Sequence, residues 1–187
     1  PVPMAELAEP IRIAWDWKEA AAQAPGHASH VICVSSSDSQ SLRELRLVHA
    51  RMVAAVAGLE GAYGIFQPDA GFVRSAKLFC SAMQEASLEK PPLLAWLAFV
   101  PMSTGGTRWV HSLGLAGFGL TEIETRSGAS NFDALLERAF AVAGYQLTKN
   151  VRLSDGETWG SSATDRRVIR MVPSELRPGT TVARLTI

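Results

Sequence analysis

The longest uninterrupted apolar run, Leu93 to Val100 (LLAWLAFV), constrains this chain more than any other feature. It follows Pro91-Pro92, carries no charge and is apolar at odd and even positions alike. A strand of that kind is stable where both its faces are covered, so the run predicts a central strand of a sheet flanked by helices. It is far short of the roughly 20 apolar residues that span a bilayer. Gly105-Gly106 then predicts a tight turn, and Arg108 to Ser112 (RWVHS) the return strand of a hairpin.

The chain on either side extends the pattern. Asp16 to Gln23 reads as a short Ala-rich helix ended by Pro25-Gly26, and His30 to Ser35 (HVICVS) as a first buried strand. The polar run Ser35 to Ser41 supplies caps for a helix from Ser41 to Ala57. Leu42, Leu45, His49, Met52, Val53 and Val56 lie at the spacing of one helical face. Ala62 to Gln67 is a second short strand with a turn at Pro68-Asp69. Phe72, Ala76, Phe79, Cys80 and Met83 mark a second helix. After the hairpin come the glycine loop Gly114 to Gly119 and the strand Thr121 to Arg126. A helix then opens with a capping box over Ser130 to Asp133 and turns Phe132, Leu135, Leu136, Ala139, Val142 and Ala143 inward. Ser154-Asp155-Gly156 is a turn, and Val168 to Val172 and Thr181 to Ile187 are the last strands. The order predicts an α/β (α+β) fold, a mixed sheet with helices mainly on one face, its first strands joined as β-α-β units.

The chain has 187 residues, 47% of them hydrophobic and 19% charged, which points to one globular domain over residues 4–187. Pro1-Val2-Pro3 ahead of Met4 reads as a cloning remnant. Lys plus Arg and Asp plus Glu number 18 each, so the net charge is zero. A direct nucleic-acid binder needs a basic excess and a nucleic-acid mimic an acidic one, and neither is present. The 2 cysteines, Cys33 and Cys80, lie far apart among apolar residues and read as small buried hydrophobes, in keeping with a reducing, cytoplasmic setting. No signal peptide or membrane span is visible.

Chemistry-bearing motifs are sparse. Gly114, Gly117 and Gly119 have the reverse of the dinucleotide-fingerprint spacing and precede a strand, so they read as a tight connection. No Walker loop or nucleophile elbow occurs. His27 and His30 sit where a loop meets a strand, and His49 reads as a satisfied histidine on a helical stripe. His111 lies in a strand that can pair with the one bearing Glu122 and Glu124. A histidine with two carboxylates could move a proton or hold a metal, although two glutamates at i and i+2 on a strand more often form a solvated face. No cofactor or metal is expected. Trp96 reads as core. Trp15, Trp17, Trp109 and Trp159 fall near element ends, where an aromatic either packs on its own loops or anchors an interface. Arg166, Arg167 and Arg170 form a basic cluster read as an exposed strand edge.

The C-terminal half resembles a bacterial family known only as a domain of unknown function. The resemblance rests on Trp109 to Ser112, Gly114-Leu115-Ala116-Gly117-Phe118-Gly119 and Glu122-Ile123-Glu124. It continues through Phe132 to Leu147, Asp155-Gly156-Glu157-Thr158-Trp159-Gly160 and Thr181 to Ile187. The N-terminal half is similar more loosely, through His30 to Val34 and Ala62 to Phe66. Small proteins of this sort are frequent partners of secreted antibacterial toxins. The resemblance therefore implies a non-enzymatic immunity protein that binds and blocks a cognate toxin domain encoded nearby, with a type VI secretion nuclease as one candidate. A nuclease cleft is basic, so Glu122, Glu124, Asp155 and Glu157, with Trp159, are the expected contacts. The alternatives are a small-molecule enzyme using His111 with Glu122 or Glu124, and an adaptor of a secretion apparatus.

Overall fold

The computed structural model describes residues 1–39, 41–129, 131–160 and 166–187. Its chain divides into two units, Pro1–Trp96 and Leu97–Ile187.

In the first unit, helix α1 (Met4–Arg12) and the short α2 (Ala20–Gln23) bury Leu7, Ala14, Trp17, Ala20 and Ala24 together with Val73. Helix α3 (Leu42–Ala57) starts where the polar run predicts caps. Ser41 Oγ accepts from the Glu44 N–H at 3.4 Å, and Glu44 Oε2 accepts from the Ser41 N–H at 2.8 Å, a complete capping box. Strands β1 (Gly64–Gln67) and β2 (Phe72–Ser75) form an antiparallel ribbon, with Gly71 at φ 73° in the turn. Helices α4 (Ala76–Met83) and α5 (Leu93–Trp96) complete the unit. Arg74 is 1% exposed, and both its Nε (3.0 Å) and Nη2 (2.6 Å) donate to Asp16 Oδ2.

Four expectations are corrected here. His30 to Ser35 is not a strand: Val31, Ile32 and Val34 are exposed, and among the described residues no backbone–backbone hydrogen bond involves 31–36. An apolar β-branched run becomes a strand only when a neighbour takes up its backbone groups. With that strand missing the expected first β-α-β units do not form, and β1 pairs with the next strand along. Leu93 to Trp96 is a helical turn. Pro91-Pro92 opens it, since the Ala95 and Trp96 N–H groups donate to the Pro92 carbonyl at 2.8 and 3.1 Å. The stripe expected on α3 is rotated: Leu47 and Ala50 are buried while Leu42 and Met52 are exposed. Helix α4 packs against the Leu47–Ala50 side, where the Cys80 thiol donates to the Ala54 carbonyl at 3.6 Å. The residues of α3 are apolar on more than one face, so periodicity could not select the side with a neighbour. His49 keeps its expected role, its Nδ1 lying 3.0 Å from Ser35 Oγ. Cys33 and Cys80 are free thiols, each half-buried.

The second unit is a five-stranded mixed sheet of order β3-β4-β5-β9-β8. Strands β3 (Ala98–Thr104) and β4 (Thr107–Leu113) form the expected hairpin about Gly105 and Gly106, whose φ values of 55° and 77° suit a tight two-residue turn. Strand β3 lies at the sheet edge and not at its centre. Pro101, which has no N–H for a second neighbour, fits that place. Strand β5 (Ile123–Ser127) pairs antiparallel with β4 and parallel with β9 (Thr181–Thr186). Helix α6 (Phe132–Lys149) makes the connection a parallel pair requires. Its N-cap is Asn131, whose Oδ1 accepts from the Ala134 N–H at 3.0 Å; Ser130 of the expected capping box lies outside the described residues.

Helix α6 buries Leu135, Ala139, Val142, Ala143 and Leu147 against one face of the sheet, with the Phe99 and Phe140 rings 4.1 Å apart. The ribbon β6 (Thr158–Trp159) and β7 (Arg167–Val168) and the edge strand β8 (Arg170–Pro173) complete the unit. The protein is thus a mixed α/β fold, as the element order predicts.

Candidate functional site

Register first brings His111 and Glu124 together. They are opposite each other across β4 and β5, as are Trp109 and Arg126, and Arg184 of β9 lies opposite Glu124 on the other side. Glu124 is fully buried. Its Oε2 accepts from Arg184 Nε (3.1 Å) and Nη2 (2.8 Å), and its Oε1 accepts from the Ser174 hydroxyl. His111 Nδ1 lies 3.5 Å from Oε1. Burial pushes the Glu124 carboxyl upward, but the contact with His111 and the hydrogen bonds from Ser174 and Arg184 outweigh it and hold it at about 2. Arg184 also donates to Glu175 Oε1 at 2.7 Å. The Arg126 and Arg184 guanidiniums lie over the buried Trp109 ring, 5.4 and 5.1 Å from its centroid.

Glu122 takes a different course. Its Oε2 accepts from Ser112 Oγ at 2.5 Å, and its Oε1 accepts from the N–H groups of Gly114 (2.9 Å) and Ala116 (3.0 Å). One buried carboxylate thereby gathers the glycine loop, in which Leu115–Phe118 form a single 3-10 turn between Gly114 (φ 112°) and Gly119 (φ 71°). Gln146 of α6 secures the same region, its amide bonding both the N–H (3.2 Å) and the carbonyl (2.9 Å) of Thr121.

These contacts correct two expectations. Glu122 and Glu124 are 7% and 0% exposed and their oxygens are already engaged, so they do not present charge to a partner. His111 meets Glu124 but not Glu122, and at 2% exposure it is closed to substrate unless the sheet opens. The arrangement is a clamp joining β4, β5, β8 and β9. Ser174 and Arg184, which hydrogen-bond the Glu124 carboxylate, were missed because they lie 50 and 60 residues further along the chain.

The remaining expected contacts, Asp155, Glu157 and Trp159, lie together at the surface. Gly156, at φ 81°, makes the turn, and its N–H donates to the Ile169 carbonyl at 3.0 Å while the Ile169 N–H donates to the Glu157 carbonyl at 2.7 Å. Asp155 Oδ1 accepts from the Met171 N–H (2.8 Å) and Glu157 Oε2 from the Ser154 N–H (3.0 Å), so one oxygen of each carboxylate fixes the loop. Both residues are exposed. The Trp159 ring packs on Tyr145 of α6, with centroids 5.0 Å apart and planes at 60°. Tyr145, Arg152, Leu153, Glu157, Trp159 and Ile169 line a cavity of about 520 Å³, and Leu153 and Ile169 are buried. Tyr145 and Arg152 were not among the expected residues. An aromatic on α6 outside its inward-facing set was the available signal for Tyr145.

The other candidates separate. Trp17 and Trp96 are buried, and Trp15 is exposed. His27 is occupied locally: its Nε2 accepts from the Val2 N–H at 2.7 Å and its Nδ1 lies 2.6 Å from the Ala24 carbonyl. Arg170 is exposed on the edge strand β8, 3.8 Å from Asp155 Oδ2.

Fold and site together define a mixed α/β protein with an internal ionic clamp and an aromatic-walled surface groove. Residues 111–186 match the family described as a domain of unknown function, DUF4261, a stretch that contains both glycine motifs and the clamp. No curated protein and no solved structure matches the chain. Among the described residues, no helix is long and apolar enough to cross a membrane.

Proposed function

We propose that this chain is a cytoplasmic, non-enzymatic binding protein, that its partner surface is the groove beside Tyr145 and Trp159, and that the partner is a secreted antibacterial toxin domain encoded nearby. The observation that carries the binding reading is the co-location of a half-exposed tryptophan, an exposed tyrosine and two exposed carboxylates on a loop fixed by its own hydrogen bonds. Aromatic anchors on a pre-organised loop lose little entropy on binding, and the acids Asp155 and Glu157 suit a basic cleft such as that of a nuclease. The toxin assignment rests on the family resemblance. The enzyme alternative loses support because His111 and Glu124 are buried and Glu122 is spent on the glycine loop.

The test is co-purification with the product of the adjacent gene, followed by a growth-rescue assay. Complex formation and rescue support the proposal. Complex formation without rescue favours a secretion adaptor, and no complex removes the binding reading.

A further inference from the structure

The stretch 31–36, ahead of α3, is open along its outer side. Val31, Ile32 and Val34 are 70%, 76% and 77% exposed, and among the described residues no backbone N–H or carbonyl of 31–36 has a hydrogen bond. We propose that this stretch is the interface of a homodimer, pairing antiparallel with the same stretch of a second copy about a two-fold axis at Cys33.

The first support is its form. From Ile32 to Ser37 exposed and half-buried residues alternate, the two-residue period of a strand, with Cys33, Ser35 and Ser37 inward and Ile32, Val34 and Ser36 outward. Ser35 Oγ lies 3.0 Å from His49 Nδ1, which ties the inner side to α3. One face of the run therefore already rests on the protein. What it lacks is a neighbour alongside its backbone, and an added strand supplies one.

The second support is a contrast within the molecule. Edge strands are guarded against pairing by charge, by proline or by a covering loop. Both edges of the five-stranded sheet have such guards. Strand β3 carries Pro101, and β8 carries Arg170 and Pro173, while the Met171 N–H is taken by Asp155 Oδ1. Residues 31–36 contain no proline and no charge.

The third support selects the occupant. With Cys33 opposite the partner's Cys33, Ile32 falls opposite the partner's Val34, and Val34 opposite the partner's Ile32. Outward residues then meet outward residues, and both are β-branched, a favourable cross-strand pair. A two-fold interface requires this kind of match of a surface with itself, and no charge in the run repels its own copy. Val48 and Met52, exposed on α3 one and three residues from His49, continue the apolar surface onto the helix.

The experiment is analytical ultracentrifugation of the full chain over a concentration series. The proposal expects a monomer–dimer equilibrium with Kd below about 100 μM. Ile32→Lys and Val34→Lys, both at exposed positions, should each raise that Kd at least about tenfold, with near-ultraviolet circular dichroism unchanged. In Cys80→Ser, whose remaining thiol is Cys33, a short bis-maleimide should link two chains, and dilution below the Kd should abolish the link. A monomer throughout the series, a dimer of full strength in both lysine variants, or a dimer that the reagent does not link would overturn the proposal. These measurements do not involve the loop at 151–160, so the result is independent of the partner proposed there.

Discussion

Glu122 and Glu124 are spaced in sequence as Asp155 and Glu157 are, yet the first pair is buried and the second exposed. The difference lies in what surrounds each pair. The first pair lies at and in β5, where Ser112, Ser174 and Arg184 and the N–H groups of the glycine loop supply every carboxylate oxygen with an internal partner. In the loop pair Glu157 bonds the Ser154 N–H of its own turn, and Asp155 bonds the Met171 N–H of β8 with Arg170 nearby, while both acids stay exposed. Identical spacing thus yields a buried clamp in one region and an exposed loop, the surface proposed for recognition, in the other. The contrast can be broken or sharpened by substitution.

The largest effect belongs to Glu124→Ala. It leaves Arg184 and Ser174 without their buried acceptor, and breaking a buried ion pair costs about 3–5 kcal/mol. Thermal melting should fall by about 10 °C or more. Glu122→Ala strands two loop N–H groups and Ser112, and should cost about 1–3 kcal/mol in urea unfolding. Wild-type levels of stability in both variants would mean that the clamp is not what holds the sheet.

Acid titration separates the pairs again. The Glu124 carboxyl is held at about 2 in the folded chain against an ordinary 4.5, so its ionised form favours folding. That contribution is complete above pH 4.5 and is lost as pH falls toward 2, and by the size of the shift it amounts to about 3 kcal/mol at most. The acid limb of a stability–pH curve should flatten in Glu124→Gln. An unchanged limb would place the sensitivity on other groups.

On the loop, stability and binding should come apart. Glu157→Lys should shift stability by no more than about 1 kcal/mol, because the exposed carboxylate forms only a local bond. The same change should slow association with a basic partner and reduce its salt dependence, as followed by stopped-flow mixing at several ionic strengths.

The sequence made much of the sheet legible. Gly105-Gly106, the Thr121 to Arg126 strand and the inward residues of α6 were readable because turn chemistry and periodicity act locally. The edge position of β3 and the exposure of Val31 to Val34 were not, because a strand's neighbours are chosen by the whole chain. At the candidate site, Asp155, Glu157 and Trp159 could be found from an exposed turn motif. The fate of Glu124 could not, since it depends on Ser174, just past the end of β8, and on Arg184 of β9, both far along the chain.

The most direct measurement is the affinity of the adjacent gene's product for the wild-type chain and for Trp159→Ala, with folding verified by near-ultraviolet circular dichroism. If the groove is the contact surface, removing the ring that packs on Tyr145 weakens binding by at least about tenfold while the fold is kept. An affinity equal to that of the wild type, in a folded Trp159→Ala protein, would contradict the account.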